Sequence, residues 1–217
     1  MAAATSPYDP GSQEATYWQA RQRLASATRA LNEKLVSTDI TPEFAAALTE
    51  KIEDLTAELN QTEQVSGLVD MAKRGERGTI DNVMGELVAM AGRSHPCSPE
   101  LLWQEEPNRI IGTVTFGQAF EGPPGHVHGG WVAGVLDHFM GMTHVHTGHP
   151  GMTGGLSVRY LKPTPLNQLI EVSADATELD DKRTEVKAEM RCGETTTATA
   201  EAIFVRVDRE KFGFETP

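Results

Sequence analysis

The chain has 217 residues, 39% of them hydrophobic and 23% charged, which suffices for one domain with a buried core plus an extension. Its formal net charge of -12 argues against nucleic acid or an anionic membrane surface as the main partner, because both select basic faces. Only Cys97 and Cys192 are present, so we expect a reduced, cytoplasmic protein without a structural disulfide. Neither a secretory signal at residues 1–10 nor a later membrane span is expected.

Up to about residue 95 the apolar residues recur with the period of a helix. Thr41 and Pro42 stand as an N-cap and first helical residue, so they divide this region into two helices. The polar stretch from Lys73 to Gly78 indicates an exposed turn or linker. The two helices are predicted to form an antiparallel hairpin, with apolar stripes at Tyr17, Leu24, Leu31 and Leu35 and at Phe44, Leu48, Ile52, Leu55 and Leu59.

After Pro96 the period changes to two, which indicates β-strands. The clearest strand alternates Thr184, Val186, Ala188 and Met190 with charged residues, so one face of the sheet is predicted to be core and the other solvated. A hairpin turn is predicted at 179–182. Further strands are predicted at 110–116, 153–161, 170–177 and 197–207.

One apolar helix is predicted between the first and second of these strands, from about Gly129 to His146. Its apolar residues surround nearly the whole helix, which implies burial on most sides. An α+β fold with one antiparallel sheet wrapped round one central helix accommodates this order of elements. The apolar residues of the helix are Trp131, Val132, Val135, Leu136, Phe139, Met140 and Met142.

Candidate chemistry lies along this helix. Gly129 and Gly130 open it, and Asp137 is the first acid inside it. Unpaired N–H groups at a helix N-terminus stabilise an oxyanion, and a carboxylate within reach of the same substrate atom can act as base or nucleophile. The pattern predicts an acyl-transfer site, with Gly134 among the small neighbours that leave space for a ligand beside Asp137. A structural, hydrogen-bonded Asp137 is the alternative.

The motif around these residues resembles the hotdog-fold acyl-CoA thioesterases of the PaaI type, including the thioesterase-superfamily-member branch. The resemblance covers roughly residues 98–208, and it implies a hotdog domain at 96–217 after a helical extension at 1–95. The matching residues are Gly125-His126-Val127-His128-Gly129-Gly130, Asp137, Thr153 and Tyr160-Leu161-Lys162-Pro163.

The resemblance implies a role for each matching residue. Asp137 would activate water or attack the thioester, and the Gly130 N–H, with Gly129 as a second donor, would polarise its carbonyl. His128 would shape the loop or bind the thioester region, and Thr153 would position water from the partner subunit. His126, Gly129 and Gly134 would contact the substrate. The expected assembly is a homodimer or a dimer of dimers, because hotdog sites form at a dimer interface.

Acyl-CoA is anionic, and the best candidates for its phosphates are Arg159 and Lys162; a solvated strand face is their alternative role. No metal and no organic cofactor is expected, since coenzyme A is part of the substrate and the paired histidines at 126/128 and 144/146 lack helical chelating spacing. The expected function is hydrolysis of an acyl-CoA to a free acid and CoA. A non-catalytic acyl-CoA sensor or carrier is the alternative, and hydratase chemistry is disfavoured because its loop motif is absent.

The helical extension would cover the sheet, extend the dimer interface or form a lid over an acyl tunnel. Interface or cover is favoured over a lid, because apolar stripes of this kind more often pack.

Overall fold

The computed structural model describes residues 12–74 and 77–207, so the predicted linker at 73–78 lies partly outside the described residues. The helices in this part of the chain are α1 (Gln13–Ser37), α2 (Pro42–Asn60), α3 (Gly67–Ala72), α4 (Ile80–Leu87) and α5 (Gly129–Val145), with a 3₁₀ helix at Gln118–Phe120. The strands are β1 (Leu101–Glu106), β2 (Arg109–Thr115), β3 (Gly151–Tyr160), β4 (Leu169–Glu178), β5 (Arg183–Cys192) and β6 (Thr195–Arg206).

The strands form one sheet in the order β1-β2-β4-β5-β6-β3, with every neighbouring pair antiparallel. Helix α5 packs across one face and contributes Leu136 and Phe139 to a common core. The predicted alternation in β5 is confirmed, because Thr184, Val186 and Met190 are fully buried. The sheet wrapped round one central helix is therefore present as predicted; β1, α3 and α4 were not predicted.

Strand β3 forms an edge of the sheet and is paired only with β6 among the described residues. Nearly all of its residues are exposed, and Met152, Leu156 and Tyr160 have 51%, 41% and 55% of their surface accessible. A long edge strand with apolar side chains and unpaired backbone groups is a template for pairing with another strand. This edge lies beside α5.

Helix α1 attaches the extension to the rest of the molecule. Trp18 is fully buried, and its indole donates a 3.0 Å hydrogen bond to the Arg77 carbonyl. Further along, the Glu33 carboxylate accepts the backbone N–H groups of Gln118 and Ala119 at 2.8 and 3.0 Å, so α1 is fastened to the start of the 3₁₀ helix.

Helix α2 differs from α1 in its exposure to solvent. None of its residues is buried, and Phe44, Leu55 and Leu59 are 53%, 60% and 59% exposed. The break between the two helices lies where the sequence predicts, with Thr41 as the N-cap of α2. The packing of their apolar stripes against each other, expected for a hairpin, is absent among the described residues. An amphipathic pattern indicates that the apolar face of a helix can be buried, but it does not identify the surface that covers this face.

A buried carboxylate connects α1, α4 and the loop that follows α4. Glu86 is fully buried and forms a 2.6 Å ion pair with Arg93. It also accepts hydrogen bonds from Gln22 at 3.0 Å and from the Ser94 hydroxyl at 2.6 Å. Because a buried charge is costly without such partners, this cluster fixes the path of the loop between α4 and β1.

Replacing Glu86 with alanine is expected to lower the free energy of unfolding by about 3 kcal/mol, because it removes the buried carboxylate of the 2.6 Å ion pair with Arg93. Denaturant unfolding measures the change. Glu50→Ala, at an exposed position of α2, is the control and should change stability by less than about 0.5 kcal/mol. Equal stability of the two variants would contradict the role assigned to Glu86.

Candidate active site

Asp137 lies half-buried in the middle of α5. The Thr153 hydroxyl, at the start of β3, donates a 3.0 Å hydrogen bond to Asp137 Oδ1. Oδ2 has no hydrogen-bond partner among the described residues and is free to accept a proton or a water molecule. The structure thus brings together two residues that the sequence selected.

Thr153 reaches Asp137 within one chain. The sequence-based expectation that this hydroxyl comes from the partner subunit is therefore wrong for this pair. Strand β3 follows α5 after a short turn and runs back beside it, and a register shift between Thr153 and Gly155 marks a bulge at this point. Bulges re-aim side chains, and here the strand presents Thr153 to the helix.

The helix N-terminus is capped by an unusual residue. His128 is the N-cap, and its Nδ1 accepts the Gly130 N–H at 3.0 Å. Gly130 is therefore already engaged, whereas the Gly129 N–H has no partner among the described residues. Of the two predicted oxyanion donors, Gly129 is therefore the one whose N–H is open, and the oxyanion role itself stays a prediction. Histidine is not among the common N-cap residues, so this cap was not predictable from the residue type.

Tyr160 fixes the position of this turn. Its hydroxyl donates a 2.9 Å hydrogen bond to the Gly129 carbonyl. A Cβ atom added at Gly129 would lie 3.3 Å from the same tyrosine ring, closer than almost all real contacts. Tyr160 belongs to the matching motif but had no predicted role, and in the structure it holds the Gly129 peptide from β3.

His126 stabilises the preceding loop. Its Nδ1 lies 2.9 Å from the Pro124 carbonyl oxygen, and its own carbonyl accepts the Gly122 N–H. Gly125, beside it, has a φ of +76°, which other residues rarely adopt. These contacts are within the loop, so His126 is placed to shape it, and its predicted contact with substrate stays a prediction.

Gly129 and Asp137 lie far apart along α5. They are eight residues apart on one helix, which corresponds to about 12 Å along its axis. An oxyanion donor and a base each need to lie about 3 Å from their atoms of a single reacting group. The separation therefore argues against one helix bringing both groups to the same substrate atom, although this expectation itself stays a prediction.

The space expected beside Gly134 is occupied. A Cβ at this position would lie 2.7 Å from both Sδ and Cε of Met90, which comes from the loop after α4. The absent side chain of Gly134 therefore accommodates Met90 rather than a ligand, and its assignment as a substrate-binding residue is corrected. Residues 44 positions apart in the chain make this contact, so local spacing did not predict it.

The predicted phosphate-binding residues are exposed and lack acidic partners among the described residues. Arg159 pairs with Thr199 across β3 and β6, whereas the neighbouring Tyr160 pairs with the buried Ala198. Residues opposite each other share a face of the sheet, so Arg159 lies on the outer face and Tyr160 on the α5 face. Lys162 follows directly after β3.

His138 lies next to Asp137 on α5, and burial lowers the pKa of its imidazole from 6.5 to about 4. The ring is therefore neutral at neutral pH. In the part of the chain that the structure describes, no three His, Cys, Asp or Glu side chains come together in a way that could hold a metal ion.

Acidification is expected to destabilise the fold through His138. In the unfolded chain the His138 imidazole is protonated below pH 6.5, but in the folded chain only near pH 4. The contribution of neutral His138 to the free energy of unfolding is therefore complete above pH 6.5 and is lost as the pH falls from 6.5 to 4. Denaturant unfolding at pH 7.5 and 4.5 should show a decrease about 2 kcal/mol larger for the wild type than for His138→Gln. His149→Gln, at an exposed position, should retain the wild-type decrease. Equal decreases in all three proteins would refute the assignment.

The fold and site define an α+β hotdog domain, with a carboxylate on the central helix and an open backbone donor at its N-terminus. Residues 124–199 match the thioesterase superfamily. A crystal structure described as a thioesterase superfamily protein is 26% identical, with a TM-score of 0.72, and covers 91% of this chain and 97% of its own. The resemblance to hotdog thioesterases is confirmed.

The curated relatives that this chain matches are also named as thioesterases. The mouse acyl-coenzyme A thioesterase THEM4 is 26% identical over 113 residues, covering 51% of this chain and 49% of the relative. The rat protein of the same name is 27% identical over 113 residues and covers the same fractions of the two chains. The chain thus spans about half the length of the curated relatives it matches. No helix in residues 12–74 or 77–207 has the length and apolar character needed to cross a membrane.

Proposed function

We propose that this protein hydrolyses an acyl-CoA thioester to a free carboxylic acid and CoA. The observation that carries the proposal is the half-buried Asp137, held by Thr153 through one oxygen and free at the other. The family match and the names of the curated relatives support it. Coenzyme A is part of the substrate, and the reaction requires no other cofactor.

Asp137 has two ways to act. As a base, it takes a proton from water while the water oxygen attacks the thioester carbon; the C–S bond then breaks and the CoA thiolate receives the proton. As a nucleophile, it attacks the thioester carbon and forms an acyl anhydride as the C–S bond breaks and CoA leaves as the thiolate; water then attacks the Asp137 carbonyl carbon and releases the acid. A single turnover in ¹⁸O-labelled water distinguishes them, because the acid takes its oxygen from water in the first case and from Asp137 in the second.

The proposed site contains two chains. Since Gly129 and Asp137 of one helix lie too far apart, we propose that the Gly129 N–H of one subunit polarises the thioester whose water is activated by Asp137 of its partner. The exposed edge of β3 supports this assembly, because pairing two such edges would place the two α5 helices side by side. The expected state is a homodimer or a dimer of dimers.

Lys162 and Arg159 are proposed to meet the CoA phosphates. Both are exposed and uncompensated among the described residues, and Lys162 lies two residues after Tyr160, which contacts the Gly129 peptide. In a chain with a net charge of -12, local cations of this kind are what an anionic substrate requires. A cytoplasmic location and a role in lipid metabolism are proposed alongside; the free thiols of Cys97 and Cys192 fit a reducing compartment.

The test is release of free CoA thiol from short-chain, long-chain and phenylacetyl-CoA by the purified protein. Turnover of at least one of them, saturating with substrate, is the expected result. Binding of these ligands without thiol release would overturn the proposal in favour of a carrier or sensor.

Thr153→Val should lower kcat by roughly tenfold to a hundredfold, because it removes a hydrogen bond to a charged carboxylate that orients the base. Thr153→Ser retains the hydroxyl and should keep most of the activity. Steady-state kinetics on one acyl-CoA compares them. Equal activity of the valine and serine variants would show that the hydrogen bond does not matter for catalysis.

A further inference from the structure

An apolar groove of about 300 Å³ lies between the C-terminal half of α1 and the start of α5. On the α1 side it presents Leu35 and Val36, which are 41% and 61% exposed. Exposed aliphatic side chains lining one concave site are a feature of ligand pockets. Its apolar lining includes Leu35, Val36, Pro96, Phe120 and Trp131, together with Cys97, and the polar residues Arg29 and Asn32 also line it.

The groove is joined to the candidate active site by direct contacts. The Phe120 ring packs edge-on against Trp131, with 4.9 Å between ring centroids. The Phe120 carbonyl accepts the His128 N–H at 2.9 Å. Trp131 lies only two residues after Gly129, so the wall of the groove and the proposed oxyanion donor are parts of one turn.

The polar groups near the groove are already paired. Arg29 donates to two backbone carbonyls at 3.3 and 3.1 Å, and Asn32 donates to the Pro96 carbonyl at 3.4 Å. Glu33, on the next position, caps the 3₁₀ helix. These bonds hold α1 in place and leave few free donors or acceptors, so an apolar occupant fits better than the amide-containing arm of coenzyme A.

We propose that this groove holds the aliphatic acyl chain of the substrate, a chain of roughly ten carbons. The volume sets the upper limit of this length, because a methylene is similar in size to a water molecule, which takes about 30 Å³. This inference rests on the proposed thioesterase function. In this proposal the first half of the extension selects the length of the acyl chain. This part of the chain lies outside the matched family region.

Filling the groove tests the proposal in the enzyme. Val36→Trp should lower kcat/KM for decanoyl-CoA by more than tenfold and leave that for acetyl-CoA within about twofold, because acetyl has no chain to place. Leu24→Trp is the matched control: Leu24 is 63% exposed on the same helix and does not line the groove. In the wild type, kcat/KM should rise about threefold to fourfold per methylene up to about ten carbons. An equal loss on both substrates, or no loss, would overturn the proposal.

A second test is independent of hydrolysis. Cys97 is an exposed thiol in the groove, while Cys192 lies outside it. Decanoic acid should slow alkylation of Cys97 at least fivefold and leave Cys192 unchanged, acetate should slow neither, and Val36→Trp should abolish the protection. Protection without thioester turnover would retain the groove and reject the proposed function. Turnover of decanoyl-CoA without protection of Cys97 would reject the groove as the acyl site and retain the proposed function.

Discussion

Replacing Asp137 with asparagine is expected to lower acyl-CoA turnover by about a thousandfold. The amide keeps the size of the side chain and accepts the Thr153 hydrogen bond, but it takes no proton from water and is a poor nucleophile. General base catalysis contributes about a hundredfold to ten-thousandfold. The measurement is the initial rate of CoA thiol release at saturating substrate.

Asp175→Asn is the matched control, because Asp175 is an exposed carboxylate on β4 that pairs with Arg109. It should keep wild-type turnover. Both variants must retain the wild-type circular dichroism and oligomeric state for the comparison to count. If Asp137→Asn kept more than about a tenth of the activity, Asp137 would not be the base or the nucleophile.

The sheet and the central helix were predictable because their signals are local. The strict alternation in β5 assigns each residue to a face, and the pairing of β4 with β5 follows from the short turn between them. The apolar circumference of α5 likewise requires burial on most sides. Such patterns determine the element and its buried face, and here they predicted the sheet and its central helix but not β1, α3 or α4.

The site was predictable only in its residue types. Asp137 and Thr153 emerged from the motif, but the bulge that aims Thr153 at Asp137 depends on the register of β3 with β6. The occupation of the Gly134 position by Met90 depends on the route of a distant loop. These features arise from tertiary packing, which no window of sequence encodes.

The second large effect concerns the Gly129 N–H. Gly129→Pro should lower turnover by about a hundredfold to a thousandfold, since it deletes one oxyanion donor. Proline is well tolerated at the first helical position, and His128, at φ -61° and ψ 132°, already has the conformation that precedes proline. Gly129→Ala is the control: it adds the same Cβ against Tyr160 and keeps the N–H, so it should lose far less. Equal losses would assign the effect to crowding.

A heterodimer that combines one chain of each variant shows whether the active site spans two chains. In a heterodimer of Asp137→Asn with Gly129→Pro, purified through two different tags, the intact Asp137 of one chain and the intact Gly129 of the other meet at one of the two sites. Turnover should return to about half of the wild-type value per dimer. If each site were built from a single chain, both chains of the heterodimer would carry a lesion. Turnover would then stay as low as in the parent homodimers, and the proposed assembly would be refuted together with the distance argument on α5.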